Sequence, residues 1–289
     1  MSDATSSRSA LGVIRRVAIG TFNDGFIHAG NLAYLAMLAI FPFFILGAAL
    51  FDLIGGRENA AAMIAAVAGA LPDSVAGVIV PVAEDVIYAR SGWLLWLGAG
   101  IGLWTVSSLI ETIRDILRRA YGTPPAQAFW KTRLFSAGLI LGAVVVLMLS
   151  LFAQVAIGTA QVVIAEAFPQ LAEGIATLSL SRVVPALGLA GSLYVLFATL
   201  TPLQYRRARA PRWPGAVFTM LWWLGVAAAL PVVLRLFFTY DLTYGSLAGS
   251  MITLLFFWLV GLGLVIGAEL NAALAPPLER PGAANEELA

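Results

Sequence analysis

The chain has no cysteine and a single histidine, His28. Without thiols there is no disulfide framework, thiolate metal site or cysteine nucleophile, and one imidazole cannot build a histidine-rich zinc centre. The missing cysteines also leave the redox compartment unmarked. Charge is scarce as well: only 11% of the 289 residues are Asp, Glu, Lys or Arg, against about 25% in an average soluble domain. Hydrophobic residues take their place at 60% of the chain, and the mean hydropathy is +0.90, which puts the sequence among membrane proteins. No cofactor is implied, because no glycine cluster joins a strand to a helix followed by Lys-Ser/Thr to cradle a phosphate. Arg15 and Arg16 precede a weak apolar run with no small-residue cleavage site, so the amino terminus reads as part of the mature protein rather than a cleavable signal.

A helix needs about 20 mostly apolar residues to cross the hydrocarbon layer. Six stretches qualify, at about residues 32–54, 93–110, 134–156, 183–200, 214–238 and 247–274. Only helices or closed barrels satisfy the backbone in lipid, and these continuous runs lack the in-out alternation of barrel strands. The expectation is an all-α membrane protein, a six-transmembrane-helix bundle forming one integral membrane domain over residues 1–275. A flexible cytoplasmic tail follows at 276–289, where the composition turns proline-containing and acidic. Residues 10–30 read as an amphipathic helix on the inner face. Between the first two spans, residues 57–91 hold two apolar pieces broken at Pro72 and Pro81, too short to cross. They read as helices on the outer surface, with a re-entrant hairpin as the alternative.

Thirteen of the 17 basic residues fall on one side of this arrangement. They are Arg8, Arg15 and Arg16 before the first span; Arg114, Arg118, Arg119, Lys131 and Arg133 after the second; Arg206, Arg207, Arg209 and Arg212 after the fourth; and Arg280 after the sixth. The opposite loops hold Arg57, Arg90 and Arg182, with Arg235 inside the fifth span. The positive-inside rule therefore puts both termini in the cytoplasm. Basic loops distributed this way fit topology and anionic lipid better than nucleic acid, so the expected partners are membrane lipids and no nucleic acid. Protein partners and oligomeric state are not legible.

Ionisable residues inside spans are functional candidates once their depth is known. At about 1.5 Å per residue, Arg235 lies near the outer surface and Glu269 near the inner one. No charge remains at the midplane, which argues against a proton pump or ion-coupled carrier with midplane carboxylates. Asn31, Arg114, Glu269 and Asn271 form a candidate inner polar cluster, in which Arg114 is a natural partner for Glu269. Arg235, Asp241 and Tyr244 form a smaller outer one. Each set fits two readings: an ion pair or aromatic anchor that fixes helix ends, or a site that touches a polar headgroup or solute. Pro42, about ten residues into the first span, is a candidate kink near the midplane. Gly98, Gly100 and Gly102 on the second span and Gly261, Gly263 and Gly267 on the sixth are small faces suited to close helix approach. Glu84 and Asp85, or Glu111 and Asp115, have no accompanying nucleophile, histidine or metal-ligand spacing, so the expectation is a protein that is not an enzyme and holds no metal.

Three stretches carry a resemblance: AYLAMLAIFPFF at 33–44, GLWTVSSLIETIRDILRRAYG at 102–122, and YDLTYGSLAGSMITLLFFWLVGLGLVIGAELNAAL at 240–274. With Pro214-Gly215-Ala216 and Trp222, they resemble the YihY/BrkB family of bacterial inner-membrane proteins over nearly all six spans. The YGSL and GAELNA pieces are the most specific. One departure is Ala39, where the family pattern has a small hydroxyl residue three positions before the first-span proline. The resemblance implies no agreed biochemical activity; it points to envelope integrity, virulence-associated resistance and lipid or lipopolysaccharide export. Some members carry a tRNA-processing ribonuclease label, which the residues here do not support.

The leading expectation is a protein that transports or handles a lipid or amphipathic envelope component. A non-transporting scaffold or assembly factor for the envelope is the alternative, and a small-solute carrier is third.

Overall fold

A computed structural model describes residues 10–54, 64–65, 67–69, 71–89, 93–124, 130–142, 183–237 and 247–276. Every regular element among them is helical. Helix α1, Ala10–Gly20, runs through a wide π turn at Thr21–Gly25 into α2, Phe26–Ile54. Gly20 and Phe26, on either side of that turn, both keep right-handed helical dihedrals, so the chain stays helical throughout. The amphipathic amino-terminal helix is therefore the first part of a long helix that carries on into a span, rather than a separate surface element. The stretch long and apolar enough to span is Phe26–Leu46, six residues earlier than the sequence suggested, because Phe26, Ile27 and Ala29 extend the apolar run. Pro42 lies inside α2, which runs on to Ile54.

Helix α3, Asp73–Ala89, begins at Pro72, whose carbonyl accepts from Val75 and Ala76 N–H at 2.9 Å. Its residues Val75, Ile79 and Ala83 recur every fourth position and are buried, as expected of one helix face laid on a core. Helix α3 packs on α2 and on α9, below, so this part of the 57–91 segment is docked into the bundle. Helix α4, Trp93–Ala120, contains the expected second span and continues ten residues past it. Arg118 and Arg119 lie in its last turn, where cations suit the helix dipole. Its end is a Schellman closure: Gly122 at φ 62° lets Thr123 N–H reach Arg118 O at 2.8 Å and Gly122 N–H reach Arg119 O at 2.9 Å.

Helix α5 occupies residues 130–142, of which 134–142 are the described part of the expected third span. Helix α6, Val183–Leu200, matches the fourth, and the short α7, Leu203–Arg207, follows Pro202. Helix α8, Trp213–Phe237, opens with Pro214 in its first turn, where a missing N–H costs nothing. Helix α9, Ala248–Ala273, closes the described bundle. Among the described residues, three helical stretches are long and apolar enough to cross a membrane: Phe26–Leu46, Trp213–Leu234 and Ala248–Ala273. A shorter apolar helix is Leu187–Leu200.

Two apolar cores hold these helices together. One gathers Phe44, Ile45, Ala48 and Ala49 of α2 with Val75 and Ile79 of α3, Val106 of α4 and Phe256 of α9. The other lies toward the end of the bundle that carries the basic residues, with Leu117 of α4, Phe197 of α6, Ala216 of α8 and Val265 and Ala268 of α9. Helices α2 and α4 come close where Gly102 faces Pro42: a Cβ on Gly102 would sit 3.0 Å from the proline Cα. The glycine therefore makes room for the proline's helix.

Candidate functional site

The residues of the candidate inner cluster take different partners. Asn271 is fully buried. Its Oδ1 accepts from Gly215 N–H at 2.8 Å and its Nδ2 donates to Arg212 O at 3.1 Å. Gly215 lies in the first turn of α8, where N–H groups have no partner in their own helix. Asn271 thus caps one helix from another. The rest of this seam follows from spacing. Gly263, Gly267 and Asn271 are four apart on α9, and Gly215, Thr219 and Trp222 line the facing side of α8. A Cβ on Gly267 would collide with Thr219 Oγ1 and come within 2.9 Å of Gly215 O, and one on Gly263 would strike the Trp222 ring. The backbones are close enough for Thr219 to donate to Gly263 O at 3.2 Å, and for Trp222 and Trp223 to donate to Leu259 and Val260 O, each at 2.8 Å.

Arg114 takes its hydrogen-bond partners from residues 130–142 rather than the Glu269 expected from sequence. Its guanidinium donates to Thr132 O at 3.4 Å and Ser136 Oγ at 3.3 Å and lies 5.2 Å from the Phe135 ring centroid. The neighbouring Arg133 makes the stronger bond across α4 and α5. It donates to Glu111 Oε2 at 2.9 Å, Ser108 Oγ at 3.1 Å and Trp104 O at 3.0 Å, with its guanidinium 3.9 Å from the Trp104 ring centroid. Asp115 pairs with Arg119 one turn on, at 2.8 Å. These contacts read as helix clamps. In the sequence Arg133 was only one more basic residue near a span end, and nothing in its spacing marked Trp104 or Ser108 as partners. A further tie joins the loops at this end: Tyr205 Oη donates to Tyr121 O at 3.2 Å, with the two rings 4.6 Å apart. Burial pushes the Tyr121 phenol above its ordinary pKa.

Glu269 lies on another side of α9 from Asn271. Its carboxylate rests against α1, where a Cβ added to Gly20 would be 2.9 Å from Oε1. The only amino acid that fits there without displacing the carboxylate is glycine. Asn31 and Tyr34 are exposed on α2. Asp241 and Tyr244 lie outside the described residues, as does the side chain of Arg235.

Beside Gly20 a groove of about 400 Å³ opens between α1, α8 and α9. Val13, Ile14, Val17 and Ala18 of α1 line one wall; Phe218 of α8 with Ile266 and Leu270 of α9 line the other. Thr21, Phe22 and Phe26 of the π turn and its exit complete it. The ring of Phe26 is stacked on Trp258 at 5.9 Å and meets Phe22 edge-on at 6.5 Å, so the aromatic wall is tied to α9. Wide helical turns of this kind recur at functional sites. Here the turn carries two of the lining side chains, and Phe26 follows directly after it. The lining offers almost no polar surface, so ordered water inside would lack the two to four partners it needs. Sequence reasoning saw the amphipathicity of this segment but not the groove, because its other wall comes from helices about 200 and 250 residues away.

Among the described residues, no group of three or more His, Asp or Glu side chains is placed to hold a metal ion. The profile of the virulence factor BrkB family matches residues 21–287. A Bacillus subtilis (strain 168) protein named putative ribonuclease-like protein YfkH is 27% identical over 267 residues, covering 88% of this chain and 91% of that one. No solved structure matches the chain. The chain belongs to the BrkB family.

Proposed function

We propose that this member of the BrkB family is a six-span inner-membrane protein, with its basic end in the cytoplasm, that binds and moves a lipid or other amphipathic envelope component. The observation that carries the reading is the apolar groove at the basic end, beside a bundle where Asn271, Arg133 and Glu111 are engaged in helix contacts. In water a patch lined by Phe, Ile, Leu and Val would be a liability; in a bilayer it is a seat for an alkyl chain. The three apolar helices and the family support a membrane setting. The bias of thirteen basic residues to one side supports the orientation.

The absence of midplane charge in the sequence favours a substrate whose tails stay in hydrocarbon over a soluble ion or solute. The ribonuclease wording belongs to the Bacillus relative's name; here the acidic residues of α4 are engaged, Glu111 with Arg133 and Asp115 with Arg119. Reconstitution into liposomes made from native envelope lipids tests the proposal. Protein-dependent movement of at least one lipid class is expected. If no class moves, the reading fails and the scaffold alternative takes its place.

A further inference from the structure

Two helices of the bundle end in the same backbone closure with different residues at its turning point. The end of α4 turns on Gly122, and the end of α7 turns on Arg209, whose φ of 52° is the only positive value at a non-glycine among the described residues. Ala210 N–H reaches Tyr205 O at 3.2 Å and Arg209 N–H reaches Arg206 O at 3.4 Å, the two bonds of a Schellman closure. Pro211 then follows as Pro124 does after α4. Glycine takes this conformation without a Cβ clash, whereas arginine takes it under strain. We propose that the loop joining α6 to α8 binds the headgroups of anionic phospholipids in the cytoplasmic leaflet, through Arg206, Arg207, Arg209 and Arg212. The site is separate from the groove; it rests on the reading that the basic end of the bundle faces the cytoplasm.

Charge is concentrated here and not offset. Four arginines fall within residues 206–212, and no acidic residue occurs between Glu173 and Asp241. Arg206, Arg207 and Arg209 are exposed. Arg212 donates to Arg206 O at 3.2 Å, which brings its guanidinium back onto α7. Among the described residues, none of the four is paired with a carboxylate.

The loop is also held at one level. Apolar helices grip both its ends, α6 stopping at Leu200 and the span in α8 starting at Trp213. Leu203 is 65% exposed and Trp213 63%, so an apolar side chain stands free on either side of the arginines. Tryptophan favours the headgroup level, which sets the arginines beside it at the same depth. Tyr205, bonded to Tyr121 O, ties the loop to the end of α4.

Topology alone asks for cations near the inner ends of spans and is indifferent to which residue carries them. It gives no reason to place one at a left-handed position, where glycine would close α7 as Gly122 closes α4. A headgroup site does. Clustered cations just inside a span are drawn to an anionic leaflet, and each guanidinium fork can donate to two phosphate oxygens. A zwitterionic headgroup offers the same phosphate but brings its own cation against the arginines.

The test uses the full-length protein in liposomes containing a phospholipid with a photoactivatable group at the head end of one acyl chain. Three probes share the chain and differ in headgroup: phosphatidylglycerol, phosphatidylethanolamine and phosphatidylcholine. Adducts on residues 203–213 are mapped by mass spectrometry and normalised to adducts on the exposed α8 residues Leu221 and Leu224. Phosphatidylglycerol is expected to label the loop about tenfold more than phosphatidylcholine at low salt, and added salt should shrink the difference. Arg207→Gln/Arg209→Gln should remove most of the preference. Arg209→Gly should weaken it while melting no lower than the parent, because glycine suits the turn; Arg209→Lys should retain most of it.

Equal labelling by the three headgroups overturns the inference, as does a preference that survives Arg207→Gln/Arg209→Gln in a protein with the parent's circular dichroism. Labelling by phosphatidylglycerol that inorganic phosphate abolishes at matched ionic strength would assign the loop to a soluble anion and overturn the lipid reading. The probes enter both leaflets, so the result does not depend on how the protein inserts. Lipid movement is a separate readout, and its absence would leave the labelling of the loop unchanged.

Discussion

Two sides of one helix, α9, are built on opposite principles. Toward α8 it presents Gly263, Gly267 and Asn271, and the seam closes until Thr219 and Trp222 touch backbone. Toward α1 it presents Ile266 and Leu270, and the helices stay apart and leave a groove. Small residues permit close backbone approach, and buried polar groups then find partners at short range. Large apolar residues on a helix held off by a wide turn leave space that only hydrocarbon fills well. Glu269 lies beyond Ile266, on the far side of the groove face from the seam. Its carboxylate sits over Gly20, close to where α1 first meets α9.

The sharpest way to break this contrast is to put bulk into the closed side. Gly267→Leu forces atoms into Thr219, Gly215 O and the ring of Phe197, the last 3.3 Å from a Cβ. A cost of about 3 kcal/mol or more is expected, from overpacking against backbone that cannot yield. It would be read as a large loss of thermal stability in detergent. Gly215→Ala meets Gly267 O and the Asn271 amide, and about 2 kcal/mol is expected from the same melting assay.

Asn271→Ala removes both bonds, leaving Gly215 N–H buried without its partner and Arg212 O with only the long bond from Ala216 N–H at 3.4 Å, at a cost of about 1–3 kcal/mol. Asn271→Asp keeps the acceptor for Gly215 and loses the donor to Arg212, so its melting temperature should fall between those of Asn271→Ala and the parent. If Asn271→Asp proves as damaging as Asn271→Ala, the cap to Gly215 is not what matters. The smallest effect is on the other side of the helix. At Gly20 the obstacle is the far end of a flexible side chain, so Gly20→Ala should cost about 0.5 kcal/mol or less. A loss as large as that of Gly215→Ala would mean that the Glu269 contact is as rigid as the seam.

The sequence made the helices legible because apolar runs are long and span ends carry charge. The ranges of α6, α8 and α9 lie within a residue or so of those read from hydropathy. The start of α2 was missed because Gly30 and Asn31 interrupt the apolar pattern, yet a helix continuing from α1 carries them without a break. The glycines at 263 and 267 were readable as a packing face, and their partners on α8 were not. GAELNA illustrates the limit best. Depth counting put Glu269 and Asn271 at one level, but two residues apart on a helix is about 200°. They had to face different neighbours, one clasping α8 and the other resting on α1. The reach of Arg114 toward Thr132 and Ser136 rather than Glu269 had no sequence signal, since any basic residue near a span end looks alike.

The central claim is that the open side of α9 is where an amphipathic molecule sits while the closed side only holds the bundle together. Ile266→Trp tests it most directly, because the larger side chain fills the groove while leaving Gly263, Gly267 and Asn271 in place. Lipid movement in proteoliposomes should fall to the protein-free level, with a melting temperature close to that of the parent. Undiminished lipid movement in a stably folded Ile266→Trp protein would contradict the account.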